Sequence, residues 1–166
     1  MEKTSTQWIE QLGLKPHIEG GYFVETYQSP DTLRTSGFPT HDSAERFRAK
    51  GIYFLLLADQ KSKLHRLKCE EVWCYHCGTS LTLSIIHRDG KLQQIRLGLQ
   101  WEQEEQLQVT VPRDVWFGAT VNFPGSYTLV SCITVPGFEF ADFELADRPA
   151  LLKDYSQHKE IIEMLT

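Results

Sequence analysis

Hydrophobic residues along the chain recur mainly with a period of two, or as short unbroken runs, which is typical of β-strands. From residue 51 onward these runs are separated by turn residues at intervals of roughly 8–12 residues, a pattern that predicts a β-sandwich or barrel. The Asp89-Gly90 pair indicates a hairpin between two of them. The predicted strands span residues 52–58, 63–68, 71–77, 81–87, 92–97, 107–111, 115–120, 127–135 and 138–143.

The two ends of the chain have helical patterns instead. Residues 4–7 can cap a first helix whose apolar face carries Trp8, Ile9 and Leu12, and Gly13 ends it. Near the other end, an Asp followed closely by Pro at 147–149 predicts the start of a helical tail, which continues through residues 159–165 with a second apolar face.

The segment between the first helix and residue 51 has two parts. Gly20 and Gly21 precede an aromatic and β-branched run, which predicts a turn entering a strand within residues 17–27. Residues 28–49 are polar and interrupted by Pro and Gly, so we expect a long surface loop with one short helical turn at 44–48.

Length and composition predict one folded domain. The chain has 166 residues, 41% of them hydrophobic and 23% charged, which predicts a single domain over 1–166. No apolar run approaches the ~20 residues that span a bilayer, and no signal-peptide pattern is visible, so we expect a cytoplasmic protein without membrane contact. A net charge of −5 without a Lys/Arg cluster disfavours nucleic acid as a partner.

The cysteines do not predict a zinc or redox site. Cys74 and Cys77 form a C-x-x-C pair, but a zinc ribbon needs a second pair and a thioredoxin-like pair needs a helix N-terminus. Residues three apart in a strand point to opposite faces, so we expect these two thiols not to share a metal. With Cys69 and Cys132 they form a sparse set, which fits reduced cysteines in a reducing compartment.

The densest group of chemically active residues lies around His65 and Glu71. A tight turn between two antiparallel strands would bring both side chains into the barrel interior as neighbours on adjoining strands. The pair could then ligate a metal, or act as a general base with its orienting carboxylate. The alternative is a core histidine whose hydrogen bonds are satisfied, with the glutamate at the rim.

These residues resemble the first motif of the cupins, G-x5-H-x-H-x3/4-E-x6-G. His65, Glu71 and Gly78 match the first His, the Glu and the closing Gly, whereas Leu67 stands at the second His. In the second motif Pro112 matches, but Phe117 stands at the metal-binding His. Two of the four usual metal-ligand positions are therefore retained.

Five blocks in order resemble a narrower group, the cupin-5 family. The resemblance implies an all-β fold, a cupin double-stranded β-helix (jelly-roll barrel) with short terminal α-helices. It also implies a homodimer with a pocket inside the barrel, and it supplies no reaction. The blocks lie within residues 17–23, 52–56, 65–73, 111–118 and 135–146.

Strand parity then outlines the pocket. If Glu71 points inward, so do Trp73, Tyr75 and Cys77. Aromatic walls around one imidazole and one carboxylate predict a site for a small organic molecule, the alternative being plain core packing. The predicted catalytic residues are His65, Glu71 and Tyr75, and the predicted ligand-binding residues are Glu19, Tyr53, His65, Glu71 and Trp73.

Glu19 precedes the Gly-Gly turn, in the first family-like block. We predict that its carboxyl accepts a hydrogen bond at the pocket mouth, the alternative being a solvated turn carboxylate. If His65 points inward, Leu67 does too, and its apolar side chain adds volume for a ligand.

The first functional hypothesis is a non-metal cupin that binds a small organic, sugar- or nucleotide-like ligand. By analogy with cupin sugar-nucleotide epimerases, His65 would be the base, Glu71 its partner, and Tyr75 or Tyr53 the acid. The arginines nearest to a suitable position for a diphosphate are Arg66 and Arg113.

Two alternatives belong to other classes. A metal-dependent oxygenase or isomerase would use His65 and Glu71, completed by Cys77 or water, but we expect no metal and no cofactor because two ligands hold a divalent ion weakly. A non-catalytic structural dimer would have an apolar plug in place of the pocket. The sheet face opposite the pocket, with Val72, Cys74 and His76, is moderately apolar for a solvated sheet, so we expect it to form the dimer interface.

Overall fold

The strand-like runs form two antiparallel sheets packed face to face. A computed structural model of the chain describes residues 3–34 and 45–166. One sheet has six strands in the order β1-β2-β5-β12-β7-β10, and the other has five in the order β13-β6-β11-β8-β9. The strands are β1 (Lys15–Pro16), β2 (Tyr22–Gln28), β3 (Thr32–Arg34), β4 (Glu45–Phe47), β5 (Lys50–Leu57), β6 (Lys61–Leu67), β7 (Glu70–Gly78), β8 (Leu81–Ile86), β9 (Leu92–Leu97), β10 (Gln108–Val111), β11 (Trp116–Val121), β12 (Tyr127–Val135) and β13 (Phe143–Leu145).

Consecutive strands often belong to different sheets, which is the jelly-roll arrangement that the family resemblance implies. β5 lies in the six-stranded sheet, β6 in the five-stranded sheet, and β7 in the six-stranded sheet again. The space between the sheets is filled by side chains from both, including Phe54 and Trp73 from one and Leu83 and Phe117 from the other. This confirms the predicted all-β fold.

Short helices cover the outer faces of both sheets. Helix α1 (Ser5–Leu12) packs on the outside of β5 and β12, near Leu55 and Leu129. Helices α2 (Arg148–Asp154) and α3 (Lys159–Leu165) pack on the outside of the five-stranded sheet. Short 3₁₀ helices span Trp101–Gln103, Phe140–Asp142 and Ser156–His158. No helix among the described residues is long and apolar enough to cross a membrane.

The predicted helix caps are confirmed. The Thr4 side chain accepts a hydrogen bond from the Gln7 amide, and the Gln7 side chain accepts one from the Thr4 amide. Gly13 ends the helix in the left-handed conformation, with φ 65°. At the other end of the chain, Asp147 caps α2 by accepting a hydrogen bond from the Ala150 amide.

The helical turn predicted at 44–48 is wrong for the part that the structure describes. Residues Glu45–Phe47 form β4, which pairs with β3 in a separate two-stranded sheet, whereas Ala44 lies outside the described residues. The buried ion pair between Arg46 and Asp142 ties this strand to the segment before β13. Strand pairing with β3 and the ion pair with Asp142 therefore override the local helical preference.

The single strand predicted over 138–143 is also wrong. Residues Phe140–Asp142 of this range form a 3₁₀ turn. A strand begins only at Phe143, where β13 pairs with β6. The aromatic residues that indicated a strand are instead spread around one end of the barrel.

A β-bulge in β7 changes the predicted facing of one cysteine. Leu129 of β12 pairs with Cys77, but the next residue, Val130, pairs with Tyr75, so His76 is the extra residue. Cys77 consequently packs outside the sheet, near Leu129, rather than inside the barrel. The bulge also places Cys77 on the same outer face as Cys74, so the expectation of opposite faces is wrong.

Candidate functional site

A cavity of about 170 Å³ lies between the two sheets at the end of the barrel closed by the 138–143 segment. Its walls are mainly aromatic, with the rings of Phe23, Phe54, Phe138, Phe140 and Phe143. Four carboxyl groups line it, from Glu19, Glu25, Glu71 and Glu139. The other titratable groups on its surface are His17, Lys50, His65 and the thiol of Cys132.

His65 and Glu71 both line this cavity, but they do not lie on paired strands. His65 is on β6 in one sheet and Glu71 is at the start of β7 in the other, so the turn between them carries the chain across the barrel. The expectation of cross-strand neighbours is therefore wrong. The two side chains approach the same space from opposite walls, which leaves room between the sheets for a ligand.

Both ring nitrogens of His65 have partners. Nδ1 lies 2.7 Å from the Lys63 carbonyl oxygen, which can only accept, so Nδ1 carries a proton. Nε2 lies 3.1 Å from Oε2 of Glu19. The ring also packs against Phe117 and stacks on Phe143. Burial lowers the pKa of His65, so the neutral ring, with a lone pair on Nε2, is favoured.

Glu19 complements that neutral imidazole. Burial raises the pKa of its carboxyl to about 8, although a hydrogen bond from Ser62 partly opposes this. A protonated Glu19 donates to Nε2 of His65, which joins Glu19, His65 and the Lys63 carbonyl in one hydrogen-bonded row. Glu19 is 6% exposed, so it lies deep in the cavity wall. The sequence had predicted a position at the pocket mouth.

Glu71 is held by its neighbour two residues along the strand. The indole N–H of Trp73 donates to Oε2 of Glu71 at 2.7 Å. Burial raises the pKa of Glu71 to about 7, while His65 acts in the opposite direction and Glu19 raises it further. Trp73 itself packs in the core against Phe54 and Phe117, so its part in the site is to orient the carboxyl.

His17 is a site residue that sequence reasoning did not single out. Its Nδ1 accepts a hydrogen bond from the Glu19 amide at 3.3 Å, so in the neutral ring Nε2 carries the proton. Burial, with a smaller contribution from His65, lowers its pKa to about 4. Its only sequence signal was its position in the first family-like block.

The two predicted tyrosines do not join this group. Tyr75 points into the barrel core, but its hydroxyl donates to the Gly78 carbonyl at 2.5 Å, and it does not line the cavity. Tyr53 is on the outer face of β5, where it packs edge-to-face with His76. Strand alternation explains this, since the inward positions of β5 are Ile52 and Phe54.

These features coincide with a family match over most of the chain. The family described as the cupin superfamily (DUF985), cupin-5, matches residues 6–146. The protein belongs to the cupin-5 family. An uncharacterized protein of Saccharomyces cerevisiae, YML079W, is 30% identical over 146 residues, covering 82% of this chain and 72% of the yeast protein.

Solved structures agree with this cupin assignment. A hypothetical protein from Leishmania major has a TM-score of 0.91 at 34% identity, covering 99% of both chains. Protein SO0799 from Shewanella oneidensis has a TM-score of 0.90 at 36% identity, covering 99% of this chain and 98% of its own. Bacillus subtilis oxalate decarboxylase has a TM-score of 0.55 at 15% identity over 91% of this chain and 37% of its own, a likeness of fold alone.

The cupin positions that depart from the motif are filled by apolar side chains. Leu67 lines the cavity, and Phe117 packs on the His65 ring at a centroid distance of 4.1 Å. Among residues 3–34 and 45–166, no group of three or more His, Cys, Asp and Glu side chains is placed to hold a metal ion.

The mouth of the cavity carries further residues that the sequence did not identify. Nζ of Lys50 binds Glu139 at 3.1 Å, and Phe140 is largely exposed beside them. On β12, Cys132 and Thr134 line the interior because alternate residues of this strand point inward. The alternation of inward and outward residues in β12 can be read from the sequence. The alternation alone does not indicate which inward residues line a cavity.

Proposed function

We propose that this cupin binds a small organic molecule in the barrel cavity. The main support is a cavity of about 170 Å³ with aromatic walls and three buried polar residues, Glu19, His65 and Glu71. An engineered apolar cavity of roughly 150 Å³ holds benzene, so the size suits a ring-sized ligand. A structural dimer with a plugged barrel predicts apolar side chains where this cavity is, so the geometry favours binding.

The proposed role can be tested by filling the cavity. A library of ring-sized fragments is screened by ligand-observed NMR against the wild type, Leu67→Phe, and the control Leu107→Phe, whose side chain is 61% exposed outside the cavity. We expect fragment binding to the wild type and the control and its loss in Leu67→Phe, because added atoms occupy the space. Fragments that bind equally to all three would contradict a site in the barrel, as would the absence of any binding fragment.

We also propose that the site supports proton transfer, with Glu71 as the base. Its pKa of about 7 allows both protonation states near neutrality, which suits a general acid–base group. Among the described residues, Oε1 of Glu71 receives no hydrogen bond, whereas both nitrogens of His65 are already engaged. This favours Glu71 over His65, the base expected from the analogy with epimerases.

The corresponding step is removal of a proton from carbon next to a carbonyl. The C–H bond breaks, the proton passes to Glu71, and the electron pair forms an enolate. The carboxyl exchanges its proton with solvent and then returns a solvent-derived hydron to the same carbon. In deuterated water, cyclohexanone as probe should exchange its α-hydrogens faster with wild type than with Glu71→Gln. The control Tyr53→Phe, altered on the outer face of the sheet, should match the wild type. Equal exchange with Glu71→Gln would exclude Glu71 as the base.

We further propose that the protein is a homodimer formed through the outer face of the six-stranded sheet. Tyr27, Gly51, Ile133 and Val72 lie in register across β2, β5, β12 and β7. Tyr27 is 52% and Ile133 is 37% exposed, and Gly51 between them adds no side chain, so the face is flat and apolar. Such a face on a sheet favours burial against a second copy.

Light scattering tests the dimer. We expect a dimeric mass for the wild type and a monomeric mass for Ile133→Asp, because a carboxylate would be desolvated in the interface. The control Met164→Asp, at an exposed position on α3, should stay dimeric. A monomeric wild type, or a dimeric Ile133→Asp, would rule out this interface.

A further inference from the structure

The titratable groups around the cavity include more carboxyl groups than ammonium groups. Carboxyl groups of Glu19, Glu25, Glu71 and Glu139 line it, against one ammonium group among the described residues, that of Lys50. Glu139 already binds Lys50 at 3.1 Å, so this cation is neutralised at the mouth. Of the described residues that line the cavity, none is an arginine.

The open hydrogen-bonding positions are mainly acceptors. Glu71 is 8% exposed, and among the described residues its Oε1 receives no hydrogen bond. The carboxylate of Glu25, further out, likewise has no ion pair or hydrogen bond within the described part of the chain. A ligand that pairs with these oxygens must bring hydrogen-bond donors, since a carboxylate oxygen can only accept.

The aromatic walls favour the same kind of ligand. Five phenylalanine rings line the cavity, and a phenylalanine side chain offers no hydrogen bond. The face of an aromatic ring is negative, so it attracts a cation within about 6 Å of its centroid, most strongly where water is excluded. Aromatic faces and carboxylates together therefore select for positive charge on an organic body.

We propose that the ligand of this site is a small organic cation, an amine whose body is about the size of one ring. Its ammonium group donates to Oε1 of Glu71, and its apolar body lies between the phenylalanine walls. This inference rests on the ligand-binding role proposed above and specifies the ligand class. It is an alternative to the base role of Glu71, because Oε1 cannot bind an ammonium group and remove a proton from carbon at the same time.

The positions of the arginines argue against a diphosphate-bearing ligand. Arg66 binds Glu144 on the surface and covers the Trp116 ring, and Arg113 lines a separate surface depression. Neither lines the barrel cavity. An anionic group entering the cavity would meet carboxyl oxygens, and the described residues that line the cavity offer no free cation to balance them. The sugar-nucleotide analogy therefore does not extend to the ligand's charge.

Three probes with the same ring and different charge test the proposal. Benzylamine, benzyl alcohol and benzoate are titrated into the full chain at pH 8, where Glu71 is mostly ionised because its pKa is about 7. Dissociation constants come from protein-observed NMR. We expect benzylamine to bind at least about tenfold more tightly than benzyl alcohol, and benzoate to bind most weakly.

Two variants test whether Glu71 causes the preference for benzylamine. Glu71→Gln keeps the shape of the side chain and removes its charge, so the preference for benzylamine over benzyl alcohol should fall to about threefold or less. Glu102→Gln removes an exposed carboxylate outside the cavity and should leave the preference unchanged. An unchanged preference in Glu71→Gln would overturn the assignment of Glu71 as the cation's partner.

The outcomes separate this inference from the proposed function. If benzyl alcohol or benzoate binds as tightly as benzylamine, the cavity binds ligands but the cationic class is wrong. If none of the three binds at millimolar concentration while the protein remains folded, both the ligand-binding role and the cationic class fail.

Discussion

Glu19, Glu71 and His17 show how burial, as the largest contribution, changes the pKa values of ordinary side chains. Burial raises the pKa of Glu19 to about 8 and of Glu71 to about 7, from an ordinary value of 4.5. It lowers the pKa of His17 to about 4 from 6.5. All three changes favour the neutral form, as expected where water is largely excluded.

These pKa values predict how stability depends on pH. The two glutamates bind protons more tightly in the folded chain than in the unfolded chain, so their contribution is complete below pH 4.5 and is lost as pH rises through 7 and 8. His17 has the opposite sign, because its contribution is lost as pH falls from 6.5 toward 4. We therefore expect the free energy of unfolding to decrease between pH 6.5 and pH 8.

Urea unfolding at a series of pH values measures this decrease. The decrease should be smaller in Glu71→Gln and in Glu19→Gln, since each variant removes one titrating carboxyl. Glu102→Gln, at an exposed position, should keep the wild-type slope. A free energy of unfolding that rises from pH 6.5 to pH 8 would contradict the raised pKa values.

At the scale of single elements, the terminal helices stabilise the barrel from outside. Ile162 and Leu165 of α3 are fully buried with Leu64 and Trp116 on the outer face of the five-stranded sheet. This cluster is separate from the one inside the barrel that contains Phe117 and Trp73. The helix therefore contributes to stability without touching the cavity.

Ile162→Ala tests that separation. Removing most of a buried aliphatic side chain should lower the free energy of unfolding by about 2–5 kcal/mol. Met164→Ala in the same helix, at a position that is 44% exposed, should have a much smaller effect. Chemical denaturation compares the two, and equal effects would mean that α3 is not docked as described.

At the scale of the whole molecule, the barrel keeps the cupin architecture while its metal-ligand positions have changed. Leu67 and Phe117 fill two of them, and both nitrogens of His65 are engaged by Glu19 and the Lys63 carbonyl. A metal that joined the two sheets would contribute to stability through its binding free energy. Among the described residues, the two sheets are joined by packing and by the hydrogen-bonded row that contains Glu19 and His65.

Metal removal is therefore expected to leave the fold unaffected. The thermal midpoint of the purified protein should be the same with and without a strong chelator, and elemental analysis should find no stoichiometric transition metal. A lower midpoint in chelator, together with about one metal ion per chain, would support the metal-dependent alternative that uses His65 and Glu71.

The sequence by itself determined the elements whose signals are local. Alternation gave most strands to within a few residues, and the capping residues Thr4 and Asp147 gave helix starts. The spacing of His65 and Glu71 identified two of the cavity's polar residues. These inferences succeed because strand period, turn chemistry and helix capping depend on residues within a few positions of each other.

Tertiary structure decided what depends on partners far along the chain. Glu19 meets His65, 46 positions away, only because the first turn folds against β6. The bulge at His76 places the Cys77 side chain on the outer face of the sheet. Pairing with β3 makes residues 45–47 a strand, where the sequence predicts a helical turn. Burial then sets the ionisation of the site, and burial is a property of the packed barrel that no local pattern contains.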